Sequence, residues 1–108
     1  PILESLNGLA NLEEICSFSK RIQIISFGSH DLAKSINLKI SQDEKEILEF
    51  RKNIVNKSKN IKSPIDTSYL NFKDLNGFEN SCNIVKKLGF GGKACIHPDQ
   101  IQISNKIF

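Results

Sequence analysis

Two carboxylates, Glu4 in Pro1-Ile-Leu-Glu-Ser and Asp31 in Ser26-Phe-Gly-Ser-His-Asp-Leu, each follow a short apolar run with the composition of a strand. Magnesium prefers hard oxygen ligands in octahedral geometry and usually takes one or two protein carboxylates, leaving the other positions to water and substrate. Acids at successive strand ends are compatible with a magnesium site at Glu4 and Asp31, and by themselves equally with ordinary strand-end acids that hold no metal.

Other residues with chemical potential have plainer readings. Gly28 would let the backbone approach a bound substrate closely, a use suited to glycine, and a tight turn would also explain it. Ser63-Pro-Ile-Asp66 is a turn-rich strand end in which Asp66 could tie down the following loop. Histidine titrates near neutrality, yet His97 lies between an apolar run and Pro98, which suits a hydrogen-bonded structural residue. His30 receives no role. Gly89, Gly91 and Gly92 lack the strand-loop-helix context of a phosphate loop and are expected to form a helix cap and a turn. Cys95, between Ala94 and Ile96, is expected to pack in the interior.

Positioning these residues requires regular elements. Apolar runs at Pro1 to Leu3, Ile22 to Phe27, Ser63 to Ile65 and Ala94 to Ile96 predict four strands, separated by segments with helical spacing. One helix is expected to open at Ser41, with Glu44 completing a capping box and Ile47, Leu48, Phe50, Ile54 and Val55 on its inner face. Another starts near Asp74, buries Leu75, Phe78, Cys82 and Val85, and ends at Gly89. Pro98 suits the first turn of a last helix. The first helix is interrupted by Asn7, Gly8 and Asn11, although Asn11 with Glu14 could form a second cap. Such alternation predicts an α/β fold with a parallel sheet, and four βα units are half of a (β/α)8 barrel of about 250 residues. Half a barrel would leave two unpaired edges and an uncovered apolar interior.

The net charge is +3, from 15 Lys and Arg against 12 Asp and Glu, and it gives little support for a nucleic-acid partner. Lysines are concentrated between Lys52 and Lys62, but Ile54, Val55 and Ile61 at helical spacing would leave them on a solvated face. Three cysteines without CxxC spacing indicate neither a disulfide framework nor a zinc site and fit a reducing, cytoplasmic setting. No apolar run approaches the roughly 18 residues that span a bilayer, so no membrane partner is expected. Pro1 opens inside an apolar run and Phe108 closes a helix without a cap, which leads us to expect a piece of a longer protein.

Four motifs in order, Pro-Ile-Leu-Glu-Ser (1–5), Phe-Gly-Ser-His-Asp-Leu-Ala (27–33), Ser-Pro-Ile-Asp (63–66) and Leu-Gly-Phe-Gly-Gly-Lys-Ala-Cys-Ile-His-Pro-Asp-Gln (88–100), together resemble the citrate lyase beta-subunit-like branch of the HpcH/HpaI aldolase family. Arg51 also falls where that family has an arginine. The resemblance implies the C-terminal half of a phosphoenolpyruvate/pyruvate-type barrel spanning residues 1–108, with the N-terminal half and a C-terminal lid absent. It implies that Glu4 and Asp31 ligate Mg²⁺ and that Asp66 is a catalytic residue near the thioester side of the pocket. Implied too is cleavage of a citryl-, malyl- or citramalyl-type thioester, carried on coenzyme A or an acyl carrier, into a 2-oxo acid and an acyl thioester. The family likeness suggests a homo-oligomer, a trimer. Departures are Asn37, where the family has glycine, and Lys59-Asn60 in place of Ala-Gly. Two alternatives stand beside this reading: a catalytically incomplete or partner-dependent half barrel, and an aldolase acting on free oxo acids.

Overall fold

The computed structural model describes residues 1–108, in which four short strands alternate with helices. The order is β1 (Ile2–Leu3), α1 (Leu6–Ala10), α2 (Leu12–Phe18), β2 (Ser26–Phe27), α3 (Ser29–Ser35), a 3-10 turn (Lys45–Ile47) leading into α4 (Leu48–Lys57), β3 (Ile65–Asp66), α5 (Leu75–Leu88), β4 (Gly92–Lys93) and α6 (Pro98–Ile107). The strands form one parallel sheet in the order β1-β2-β3-β4, so β1 and β4 are its two edges.

Register across the sheet decides which side chains can meet. Leu3 pairs with Phe27 and Asp66 with Lys93, while Ser26 pairs with Ile65 and Ile65 with Gly92. Side chains alternate between faces along a strand, so Leu3, Phe27, Asp66 and Lys93 form one row and Ile2, Ser26, Ile65 and Gly92 the opposite one. The first row is buried against the helices, with Leu3 and Phe27 in a core shared with Leu9, Leu12, Cys16, Ile25, Leu32, Ile47, Ile54, Val85 and Phe90. A second core joins Tyr69, Phe78, Cys82 and Ile107 between α5 and α6. The other face is open, with Ile2 62% and Ile24 48% exposed.

Local chemistry fixes the helix ends. Asp74 caps α5 by accepting from the Gly77 N–H at 3.0 Å, and Gly89, at φ +114°, closes it. The Phe90 N–H reaches the Val85 carbonyl and the Gly89 N–H reaches that of Lys86, the paired bonds of a Schellman motif. The same motif ends α3, with Asn37 at φ +54° and bonds from Leu38 to Ala33 and from Asn37 to Lys34. Asparagine is among the few residues that tolerate this left-handed conformation, which accounts for Asn37 standing where a glycine was expected.

Several expected elements fall elsewhere. No Ser41–Glu44 capping box forms: Glu44 sits at φ +56° with its side chain buried, and it is the Glu46 carboxylate that accepts from the Ser41 N–H at 3.0 Å and from its hydroxyl at 2.8 Å. Asn11 stands at the start of α2 but turns its amide back to the Asn7 carbonyl, so the Asn11–Glu14 cap is absent. The fourth strand is Gly92–Lys93 instead of Ala94–Ile96, because pairing with β3 ends at Lys93. Cys95 consequently lies past the strand end and is exposed, as is Leu75 in the first turn of α5. Helix α3 had not been anticipated. The lysines at 52, 59 and 62 are exposed on the outside, as expected, while Ile54 is buried.

Candidate metal centre

Glu4 follows Leu3, and Gly28 follows Phe27, at the C-terminal ends of adjacent strands, where the Gly28 N–H donates to the Leu3 carbonyl at 2.8 Å. Alternation turns Glu4 toward the open face. A Cβ placed on Gly28 would lie 2.9 Å from Glu4 Cγ, so the glutamate side chain rests across the glycine. Gly28 is also the residue that caps α3, and Asp31 lies in the first turn of that helix. Both carboxylates are thus brought to the β1 and β2 ends, Asp31 through a helical turn and not directly at the strand end. Both are exposed, and neither takes part in an ion pair of the chain. No group of three or more His, Cys, Asp or Glu side chains that could hold a metal ion is present. The two exposed carboxylates are hard oxygen donors of the kind a largely hydrated magnesium ion takes.

Asp66 is placed differently. Its row faces the helices, and its carboxylate accepts from Arg51 Nε at 3.0 Å and Nη2 at 2.8 Å, and from Lys93 Nζ at 2.5 Å. Arg51 Nη2 also donates to Glu44 Oε2 at 2.7 Å, where the Ser81 hydroxyl donates as well. The four charges alternate in sign and sum to zero, and all four side chains are buried. Burial works to lower the Arg51 pKa, but the bonds and charges of Asp66 and Glu44 outweigh it and hold that pKa above its ordinary value. Strand parity aims Asp66 into the helix layer, where it ties β3 to α4 and β4.

The remaining candidates have structural partners. His97 caps α6, its Nδ1 accepting from the Asp99 N–H at 3.2 Å while Gln100 Oε1 accepts from the His97 N–H at 3.3 Å. Its ring stacks on Phe72 at 4.9 Å between centroids. His30 bonds through Nε2 to the Ser68 carbonyl at 3.0 Å, linking the loops after β2 and β3. Burial pushes the Cys82 thiol up to about 11. Glu44 and Lys93 were not legible as partners in the ion network, because an acid and a lysine at such positions resemble ordinary surface charges.

A model of the HpcH/HpaI aldolase/citrate lyase family matches residues 2–98. The chain is 30% identical over 117 residues to a mitochondrial citramalyl-CoA lyase of Rattus norvegicus, a match covering 100% of this chain and 35% of that protein. It is also 30% identical to the citrate lyase subunit beta of Leuconostoc mesenteroides subsp. cremoris, over 98% of this chain and 35% of that one. Among solved structures, RipC from Yersinia pestis superposes with a TM-score of 0.90 at 27% identity, covering 98% of this chain and 49% of RipC. The citrate lyase beta subunit from M. tuberculosis, solved with oxaloacetate and magnesium, shares the fold with a TM-score of 0.85 at 20% identity, over 98% of this chain and 50% of that one. The chain spans about a third of the length of these curated relatives and about half of the solved chains. With the family match extending from the first strand to the start of the last helix, the chain belongs to the HpcH/HpaI aldolase/citrate lyase family.

Proposed function

We propose that this chain is the C-terminal half of a (β/α)8 barrel in a magnesium-dependent carbon–carbon lyase, one that cleaves a citryl-, malyl- or citramalyl-type thioester into a 2-oxo acid and an acyl thioester. The observation that carries this reading is the Glu4 side chain lying across Gly28, beside the helical turn that bears Asp31, at the strand ends where barrel enzymes do chemistry. Glu4 and Asp31 would hold the ion, which when bound supplies Lewis-acid polarisation of the oxo-acid oxygens. Gly28 leaves room for that carboxylate. His30 fixes the neighbouring loop, and the Arg51–Asp66 pair holds the end of β3 in place. In the cleavage direction the hydroxyl proton passes to a base, the carbon–carbon electron pair moves to the thioester α-carbon, and that carbon is then protonated.

The free thiols suit a reducing compartment, cytoplasmic or, as the rat relative's name has it, mitochondrial. A homo-oligomer, a trimer on family likeness, completes the reading. A second reading, a half barrel inactive without its complement, is favoured by the open face and the two unpaired sheet edges. Assaying the intact protein with the three thioester types decides between them. The lyase reading expects oxo-acid release that stops when a chelator is added and returns with Mg²⁺. Release that ignores the chelator, or no release from any thioester, overturns it.

Gly28→Ala supplies an independent check on the carboxylate geometry. Its Cβ would push the Glu4 side chain aside, so Mg²⁺ affinity is expected to fall by about tenfold, as when a supporting neighbour of a metal ligand is lost. The φ of −103° at Gly28 is negative, and the other side chain a Cβ would meet is the exposed Ile2, at 3.1 Å, so thermal unfolding should show the fold retained.

A further inference from the structure

Two basic stretches far apart in the sequence meet at the N-terminal ends of β2 and β3, the end of the sheet away from Glu4 and Gly28. Lys20 and Arg21 lie in the segment between α2 and β2, while Lys57 ends α4 and Lys59 and Lys62 follow it on the way to β3. The Lys62 N–H donates to the Gln23 carbonyl at 3.0 Å and the Ile65 N–H to that of Ile25 at 2.9 Å, which zips the two segments together. Between them opens a cavity of about 510 Å³, with Lys20 and Lys62 on its wall beside Ser17, Ser19, Gln23 and Asn60. A smaller hollow of about 240 Å³ adjoins it across Ser17 and Asn60 and carries Lys57 and Lys59.

None of these five cations takes part in an ion pair of the chain. Cations also favour the C-terminal ends of helices, and both α2 and α4 end here, so part of this charge has a structural use. The magnitudes limit that use. Each helix end carries about half a unit of negative charge, and Glu13 on the smaller hollow adds one more, which together offset about two of the five charges. An excess of about three positive charges remains around a hollow, where low-dielectric walls concentrate the field.

The polar groups between the lysines are held and have donors to spare. Asn60 Nδ2 donates to the Ser17 hydroxyl oxygen at 3.0 Å, and the Arg21 N–H donates to that of Ser19 at 3.2 Å. Both hydroxyl protons are uncommitted within the chain, and so is the Gln23 carboxamide. Lys59 and Asn60 stand where the resemblance noted above leads to Ala-Gly, a pair that would supply neither the cation nor the bond to Ser17.

We infer that this basic hollow binds a small phosphorylated molecule carrying more than one phosphate-type charge, away from the strand ends that bear the carboxylates. Lysine is a point-charge partner for phosphate, whereas planar carboxylates are matched best by the arginine fork, and four of the five cations here are lysines. One phosphate group carries about −1.5 to −2, less than the excess charge, so a diphosphate fits better than a single phosphate. Small-molecule pockets commonly measure about 300–1,000 Å³, which places the cavity in their range and leaves space for an organic portion against Ile22 and Ile61. The inference does not depend on the lyase reading.

The test is calorimetric titration of the intact protein, without Mg²⁺, with inorganic diphosphate, with ADP and with poly-glutamate. Lys20→Gln and Lys62→Gln are the variants, joined by a double variant, Lys59→Ala with Asn60→Gly; all four residues are exposed, so the fold should be kept. Each variant is expected to weaken diphosphate binding by about tenfold, and binding should fall as salt rises, while melting temperature and Mg²⁺ affinity hold. ADP binding more tightly than diphosphate assigns the organic portion to a nucleoside, and equal affinities assign recognition to the diphosphate alone; both support the site. Wild-type protein that binds neither phosphate compound, or that binds poly-glutamate alone, overturns the inference, the second in favour of an acidic polypeptide. Diphosphate affinity unchanged in either lysine variant overturns it as well.

Discussion

Arg51→Ala is expected to destabilise the fold by about 3–5 kcal/mol, the usual cost of removing one partner from a buried ion pair. The guanidinium is 2% exposed and makes two bonds to Asp66 and one to Glu44. Its loss leaves two buried carboxylates with only Lys93 and the Ser81 hydroxyl to answer them. Since domains are stable by only about 5–15 kcal/mol, such a change removes a large share of the total. Arg51→Lys should recover part of the loss, because an ammonium keeps the charge but not the forked geometry that engages both Asp66 oxygens. Urea unfolding of the intact protein measures this. A change below about 1 kcal/mol for Arg51→Ala, the size expected at an exposed pair, would contradict the role given to the network.

Glu4→Ala and Asp31→Ala are expected to abolish chelator-sensitive lyase activity with little effect on stability. With only two carboxylates offered, removal of either leaves one protein oxygen group to hold a strongly hydrated ion. Because both side chains are exposed and form no ion pair in the chain, nothing in the packing depends on them. Activity loss with an unchanged melting temperature therefore separates these two residues from Arg51, whose loss acts through the fold. Activity that survives either substitution would remove that residue from the metal site.

The parts of this fold that were legible in the sequence are those written in local chemistry. Asp74 and Gly89 mark the ends of α5, and His97-Pro98 marks the start of α6, because caps and proline act within a few residues of themselves. The parallel sheet followed from alternation, although each strand is two residues long. Illegible features depended on contacts distant in the chain. The pattern Ser-x-x-Glu at Ser41 pointed to Glu44, but Arg51 and Ser81 draw that carboxylate into the interior and leave Glu46 to serve Ser41. Lys93 is a charged residue in a strand, and only its bond to Asp66 makes burial tolerable; without that knowledge the apolar Ala94-Cys-Ile96 was the better strand. Asp66 was legible as a strand-end acid, but not its bonds to Arg51 and Lys93, which lie 15 and 27 residues away in the chain. Helix α3, seven residues long, is too short for its periodicity to stand out.

The most direct measurement is calorimetric titration of Mg²⁺ into the intact protein and its Glu4→Gln and Asp31→Asn variants, which keep side-chain shape and remove charge. We predict one saturable ion per chain in the wild type and a loss of affinity of at least about tenfold in each variant, with melting temperatures unchanged. Equal Mg²⁺ affinity in all three proteins would contradict the placement of the metal at the ends of β1 and β2.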